Sequence, residues 1–298
     1  MSGITLVIPT YNRLRSLEAV WPSYLQQAEV CEIIVVDDGS TDQTAETVTR
    51  WGRASRTPVR IIRNEAQLGQ PTSRKLGLAA VSSDWVLFGE DDVWLGEGYC
   101  RTLFDEAKNL SASVIGGRIV TARVPGEFSE TLLVDPPSAP VDASVVFDFE
   151  AMDADFSART PGPVKAPFLH SIALIKKDVF DHVSFDDWYA GNSWREETDF
   201  YLAANTAGDQ AYFTPNAVCF HLRGPICSTG GQRVNRLLYE YIAWRNTRHL
   251  VSKHWSYLRA EYGMRGSVIG WMLRYYSRRQ LAQLRRLARF GVRSHFDG

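Results

Sequence analysis

Cysteine is scarce in this chain. Four residues in 298, Cys31, Cys100, Cys219 and Cys227, lie far apart and form no CxxC pair. That excludes a disulfide framework and a cysteine-built zinc site, and it fits a cytosolic protein with reduced thiols. Long apolar runs are missing too. None approaches the roughly 20 residues that cross a bilayer. The opening "MSGITLVIPTYN" has no basic start and too short an apolar run for a signal peptide. Any membrane contact is therefore expected to be peripheral. Net charge is nearly absent as well, at −1. This balance hides an asymmetry. From Gly230 onward there are 14 Lys/Arg and 3 Asp/Glu, a net +11, against −12 for the rest. An acidic body with a basic tail points to an anionic partner for the tail.

What is present is ordinary for a globular protein: 45% apolar and 22% charged residues, enough chain for a substantial core. Short β-branched runs alternate with helical patterns. "ITLVI" (4–8), "EIIVV" (32–36), "VRIIR" (59–63) and "WVLF" (85–88) read as strands. Between them lie helical stretches carrying Leu14, Leu17, Trp21 and Leu25, with Pro22 a candidate kink, then a helix to Trp51, and "SRKLGLAAV" (73–81). Ser40-x-x-Gln43 has the form of a capping box for the second helix. This alternation predicts an α/β fold with a mainly parallel, doubly wound sheet. Further on, "SVIGGRIV" (113–120) and "FLHSIALI" (168–175) read as strands, "KKDVFDHV" as a short helix and 194–208 as a helix ending on Gly208. "AYFTPNAVCFHLRG" reads as a strand interrupted by Pro215, and residues 125–167 as loops. The expected division is 1–112, 113–229 and 230–298, the last a basic amphipathic helical tail.

In doubly wound sheets ligands gather at the carboxyl ends of the strands. Three polar clusters stand there: "PTYN", "DDGSTD" and "GEDD". Three adjacent acids, Glu90, Asp91 and Asp92, repel one another and need a positive partner or water. A divalent cation, Mn2+ or Mg2+, held by a carboxylate and a substrate diphosphate would supply that partner. Asp38 closes the second strand, where a carboxylate accepts hydrogen bonds from a base or ribose. Gly39 and Ser40 need nothing beyond a turn.

"LVIPTYNR", "IIVVDDGSTDQT", "NEAQLGQPTSRKLGL" and "LFGEDDV", in that order, resemble the successive motifs of family 2 glycosyltransferases, which have the GT-A fold; the resemblance covers roughly residues 4–222. It implies inverting transfer of a sugar from a nucleotide diphosphate sugar, a UDP-sugar by preference, to a glycan or lipid-linked glycan. It also implies use of Mn2+ or Mg2+, a nucleotide-sugar-binding role for 1–112 and an acceptor-binding and catalytic-base role for 113–229. By position, Pro9, Thr10, Tyr11, Asp38, Arg74 and Asp91 correspond to nucleotide-sugar contacts, Asp92 to a metal ligand and His221 to a residue completing the metal site. Glu90 departs from the usual first Asp of the D-x-D motif. "WREETDF" resembles the E-D-x-D segment, which offers Glu196 and Glu197 as general base, with position favouring Glu197.

Two other enzyme or binding classes fit less well. A sugar-phosphate nucleotidyltransferase needs a Gly-rich basic loop after the first strand, where this chain has "PTYNRLRS". A non-catalytic sugar- or lipid-binding module would be free to lose the acids at 91, 92 and 197, and all are present. No nucleic-acid partner is expected, because the tail holds no motif of that kind. Within 265–293 eight arginines and no acid accompany Leu281, Leu284 and Leu287, after Trp271, Met272, Tyr275 and Tyr276. That pattern is expected of a helix lying on an anionic membrane surface, the alternative being that its apolar face packs on the body.

Overall fold

The computed structural model describes residues 3–189, 193–229 and 235–293, with side chains as far as Leu281. The elements follow in the order β1 (Ile4–Thr10), α1 (Leu14–Leu25), β2 (Val30–Asp37), α2 (Thr44–Ala54), β3 (Val59–Arg63), α3 (Gln70–Ala79), β4 (Trp85–Phe88), β5 (Val93–Leu95), α4 (Tyr99–Leu110) and β6 (Val114–Arg123). Then come the short strands β7 (Phe147–Asp148), β8 (Asp153–Ala154) and β9 (Val164–Lys165), β10 (Ala173–Lys176), α5 (Glu196–Ala207), β11 (Ala211–Arg223), α6 (Arg236–Tyr262) and α7 (Val268–Arg293).

One mixed sheet carries the molecule, in the order β3-β2-β1-β4-β10-β6-β11-β5, with β9 also on β11. The first four strands are parallel, as the alternation predicts. β10 then runs antiparallel between β4 and β6. Because β1 is buried on both faces, Ile4, Leu6 and Ile8 face one core layer and Val7 the other. α1 and α4 cover the first face, with Leu17, Tyr24 and Leu103 buried there. α5, α6 and α7 cover the second, with Phe200, Leu250 and Trp271. α3 lies so close to the sheet that a Cβ on Gly77 would meet Val7 Cγ1 at 2.3 Å. That approach sets Arg74, one turn earlier, directly over the strand ends.

Several local expectations change. Of the 168–175 run only 173–175 lie in a strand, which ends at Lys176, and "KKDVFDHV" holds a short 3-10 helix, Lys177–Asp181. α1 continues through Pro22. The Ser40/Gln43 capping box does not form. Asp42 caps α2 instead, accepting from the Thr44 N–H at 3.1 Å, while Ser40 Oγ accepts from the Asn12 N–H at 2.9 Å. The 125–167 segment is tied to the sheet by Arg118, which is buried and pairs with Asp135 at 2.9 Å.

Among the described residues the tail forms two helices, α6 and α7. Trp271, Met272 and Tyr275 are buried against the body, and Trp271 Nε1 donates to Phe149 O at 3.2 Å. Arg274 reaches Glu150 at 3.4 Å, and Arg279 reaches Glu240 at 2.7 Å. For these residues the packing reading holds. Ile269, Leu273, Tyr276 and Leu281 remain exposed. The side chains of Leu284, Leu287 and the arginines beyond lie outside the described residues. No described helix is long and apolar enough to cross a membrane.

Candidate active site

The parallel pairing of β1 with β4 sets their carboxyl ends side by side, so Thr10 and Asp91 meet. Thr10 Oγ1 donates to Asp91 Oδ2 at 2.8 Å. β5, a three-residue strand overlooked in the sequence, pairs antiparallel with β11 and sets Val93 across from His221. Asp92, one residue earlier, thereby lies beside the imidazole, His221 Nε2 to Asp92 Oδ2 being 3.5 Å. The Tyr24 hydroxyl sits inside this turn, 2.5 Å from Glu90 O and 2.9 Å from Val93 O, and fixes its shape.

The acids do have a positive partner, and the chain provides it. Arg13, at the start of α1, reaches Asp91 Oδ1 at 3.1 Å and Asp92 Oδ2 at 2.6 Å. The sequence reading missed this residue. The signal was available: Arg13 is the cation that follows the first strand's "PTYN", facing three acids that need one. Burial pushes the Asp91 carboxyl up to about 7 against the pull of Arg13. For Asp92 burial acts in the same direction, but His221 and then Arg13 outweigh it and bring the carboxyl down to about 2. Asp92 stays charged, as a metal ligand must. Its Oδ1 is buried with no hydrogen-bond partner. That vacant acceptor beside an imidazole suits a divalent cation that takes its other ligands from a diphosphate and water. Among the described residues no three His, Cys, Asp or Glu side chains form a complete protein cage.

Pro9, Thr10, Tyr11, Arg13, Asp38 and Asp91 line one cleft. Asp38 is buried there and braces its wall. Its carboxylate accepts from the N–H groups of Leu68 and Gly69 and from Asn64 Nδ2, each at 2.8 Å. Gly39, at φ +81°, completes the turn, and a Cβ on it would press on Ala66 C at 2.9 Å.

A second cleft opens on the far side of Glu90 and Gln70, which line both. Glu197, Trp194, His170 and His221 face it. Arg74 joins the two. Its buried guanidinium meets Glu90 at 3.4 Å, Glu196 at 3.1 Å and Glu197 at 3.0 Å. Glu196 is wholly buried, and burial pushes it up to about 8. Glu197 is a quarter exposed and turns into the cleft. His170 is committed to backbone at both nitrogens, Gly117 O at 2.8 Å and the Ile172 N–H at 3.1 Å. Burial pushes it down to about 4, so it stays neutral and structural. Ser193 and Arg195, just before α5, have φ of +56° and +79°. Arg195 holds that strained entry by donating to Met152 O and Ala151 O. From within α5, Asp199 accepts from Tyr189, Lys253 and His254 at 3.1, 2.7 and 2.9 Å, so α6 grips the helix that bears Glu197.

Residues 5–183 match the family model described as Glycosyl transferase family 2. The GalNAc(5)-diNAcBac-PP-undecaprenol beta-1,3-glucosyltransferase of Campylobacter jejuni is 29% identical over 210 residues, which are 68% of this chain and 62% of that one. The crystal structure of S. aureus TarS 1-349 in complex with UDP-GlcNAc has a TM-score of 0.59 at 14% identity, over 84% of this chain and 66% of that one. That of GalNAc-T7 with UDP, GalNAc and Mn2+ has a TM-score of 0.61 at 14% identity, over 84% and 48%. These likenesses establish the fold as GT-A. The chain spans less than two thirds of several curated relatives it matches, down to 16% of one.

Proposed function

Since the chain belongs to glycosyl transferase family 2, we propose that it moves a sugar, with inversion, from a UDP-sugar to a hydroxyl of a glycan or lipid-linked glycan. One observation carries this reading: two clefts meet at Glu90 and Gln70, with Asp91 and Arg13 on one side and an accessible carboxylate, Glu197, on the other. A donor in the first cleft would present its sugar at that junction. Pro9, Thr10, Tyr11 and Asp38 would form the walls against the nucleoside, and Asp91 would approach the ribose or sugar. Glu197 would take the proton of the attacking hydroxyl from the opposite side, as inversion requires. Arg74 would fix Glu197 and tie its position to the donor cleft. Asp92 and His221 would hold a divalent cation, which neutralises the departing diphosphate. The UDP and Mn2+ bound to the solved relatives favour those choices. The lipid diphosphate in the name of the Campylobacter jejuni relative favours a lipid-linked acceptor.

Calorimetry with UDP-sugars tests the donor and the metal together. Wild-type protein should bind the donor more tightly with Mn2+ than with EDTA. Asp92→Asn should lose that increment and keep the fold. Unchanged affinity in Mn2+ for the variant would remove Asp92 from the metal site.

A lipid-linked acceptor calls for a membrane surface, and the net charge of +11 after Gly230 suits an anionic one. Each basic residue near such a surface contributes roughly 1 kcal/mol, lost within a Debye length. The exposed Ile269, Leu273 and Tyr276 would enter the interface. The full chain should sediment with anionic but not neutral vesicles at low salt, and release as salt rises. Leu273→Glu should weaken binding without disturbing the buried Trp271 face. A full chain that ignores anionic vesicles at low salt would sink this part of the reading. A shortened chain ending at Gly263 would not serve as a control, because it would strip Trp271, Met272 and Tyr275 from the core.

A further inference from the structure

Arg13 occupies the place where the donor's diphosphate and its cation would be expected to act. Its guanidinium bridges Asp91 and Asp92. Its third contact, Cys227 O at 3.4 Å, is weak. Two buried polar atoms here have no hydrogen-bond partner: Arg13 Nε, a donor, and Asp92 Oδ1, an acceptor. Leaving such groups unpaired in a protein interior is unfavourable, so native structures rarely do it. One is suited to an anion and the other to a cation. A structural ion pair would have no reason to leave both open, whereas a pair waiting for a nucleotide diphosphate would.

We propose that Arg13 is a resident cation that guards the diacid in the free protein and turns to the donor diphosphate when it arrives, releasing Asp92. The inference rests on the donor reading above and adds an order to it. In the free protein Arg13 neutralises two buried carboxylates and competes with a divalent cation for Asp92. A diphosphate offers the guanidinium a bidentate anionic partner of the kind it binds well. Nucleotide and cation binding should therefore be coupled through one side chain, with the nucleotide favouring the cation and, by linkage, the cation favouring the nucleotide to the same extent.

The test uses UDP and Mn2+ as probes on the full chain. Electron paramagnetic resonance gives Mn2+ affinity with and without UDP, and calorimetry gives UDP affinity in EDTA. Wild-type protein should bind Mn2+ weakly alone and about 5- to 150-fold more tightly with UDP. Arg13→Gln should bind Mn2+ alone about tenfold or more tightly than wild type, because the competitor is gone. It should also bind UDP in EDTA about tenfold or more weakly, having lost a charge-assisted contact. Arg13→Lys keeps the charge but not the fork, and should fall between the two. It also decides the matter should Arg13→Gln fail to fold. Equal Mn2+ affinity of wild type with and without UDP would overturn the proposal. So would variants that match wild type in both measurements while UDP still binds, and in that case the donor reading stands. A wild-type protein that binds UDP neither in Mn2+ nor in EDTA would instead remove the donor reading, and the role of Arg13 with it.

Discussion

Replacing Glu197 by Gln should lower the transfer rate by about 10²- to 10⁴-fold, the usual contribution of a general base, and leave UDP-sugar affinity unchanged. Glutamine keeps the shape and still accepts from Arg74 Nη2, which lies 3.0 Å from Glu197 Oε1. The side chain is a quarter exposed, so solvent screens much of the change in charge. What is lost is the capacity to take a proton. Glu196→Gln is the matched control. Burial has already raised that carboxyl to about 8, so it is mostly protonated at neutral pH, and an amide imitates the protonated acid. Its activity should stay within a factor of a few of wild type. Single-turnover rates at saturating donor, with affinity from calorimetry, separate the two effects. Were Glu197→Gln nearly fully active, the base would have to be Glu196 or Asp199. Asp199 is poorly placed for that, since Tyr189, Lys253 and His254 already occupy its oxygens.

The parallel half of the sheet was legible because its strands are buried on both faces and read as continuous β-branched runs between helical patterns. Its carboxyl ends are marked by the acids that interrupt those runs, so the sequence alone sets Thr10, Asp38, Asp91 and Asp92 at one edge of the sheet. β5 was not legible. Three residues, Val93–Leu95, are too few for periodicity to speak, yet they decide that Asp92 meets His221. Nor did the sequence tell that β10 reverses direction, because hydrophobic pattern does not encode strand sense. The role of Arg13 went unread for another reason. Counting charges along a chain finds clusters of one sign, whereas an ion pair such as Arg13–Asp92 crosses 79 residues. In the tail, helical spacing marked Trp271, Met272 and Tyr275 as apolar neighbours but not what covers them. The structure supplies the body of the protein as the cover for these three, and leaves Ile269 and Leu273 facing out.

Arg74→Met should destabilise the protein by an amount that depends steeply on pH. The guanidinium is buried and is held by Glu90, Glu196 and Glu197. Removing one partner of a buried ionic group typically costs about 3–5 kcal/mol, because the remaining charge is left uncompensated. Here the remaining groups can protonate. Glu196 already sits at about 8, and Glu90 is also raised, burial being the chief cause in each. A carboxyl whose folded pKa exceeds its unfolded value of about 4.3 adds nothing to the cost below that value. The folded state is penalised as pH rises from there toward the folded pKa. Without Arg74 both folded values climb further, so the window widens upward. Chemical denaturation of wild type and variant should therefore show a gap that is smallest near pH 5 and that widens as pH passes the wild-type folded values, about 8 for Glu196, toward about 3–5 kcal/mol near pH 9. A gap that stays constant across this range would mean that the loss comes from packing, and that Arg74 does not balance these three carboxylates. The pH-dependent outcome would instead tie the stability of the junction between the two clefts to the same side chain that positions Glu197. It would also predict that variants weakening Arg74 lose activity first at alkaline pH, where the junction is least stable.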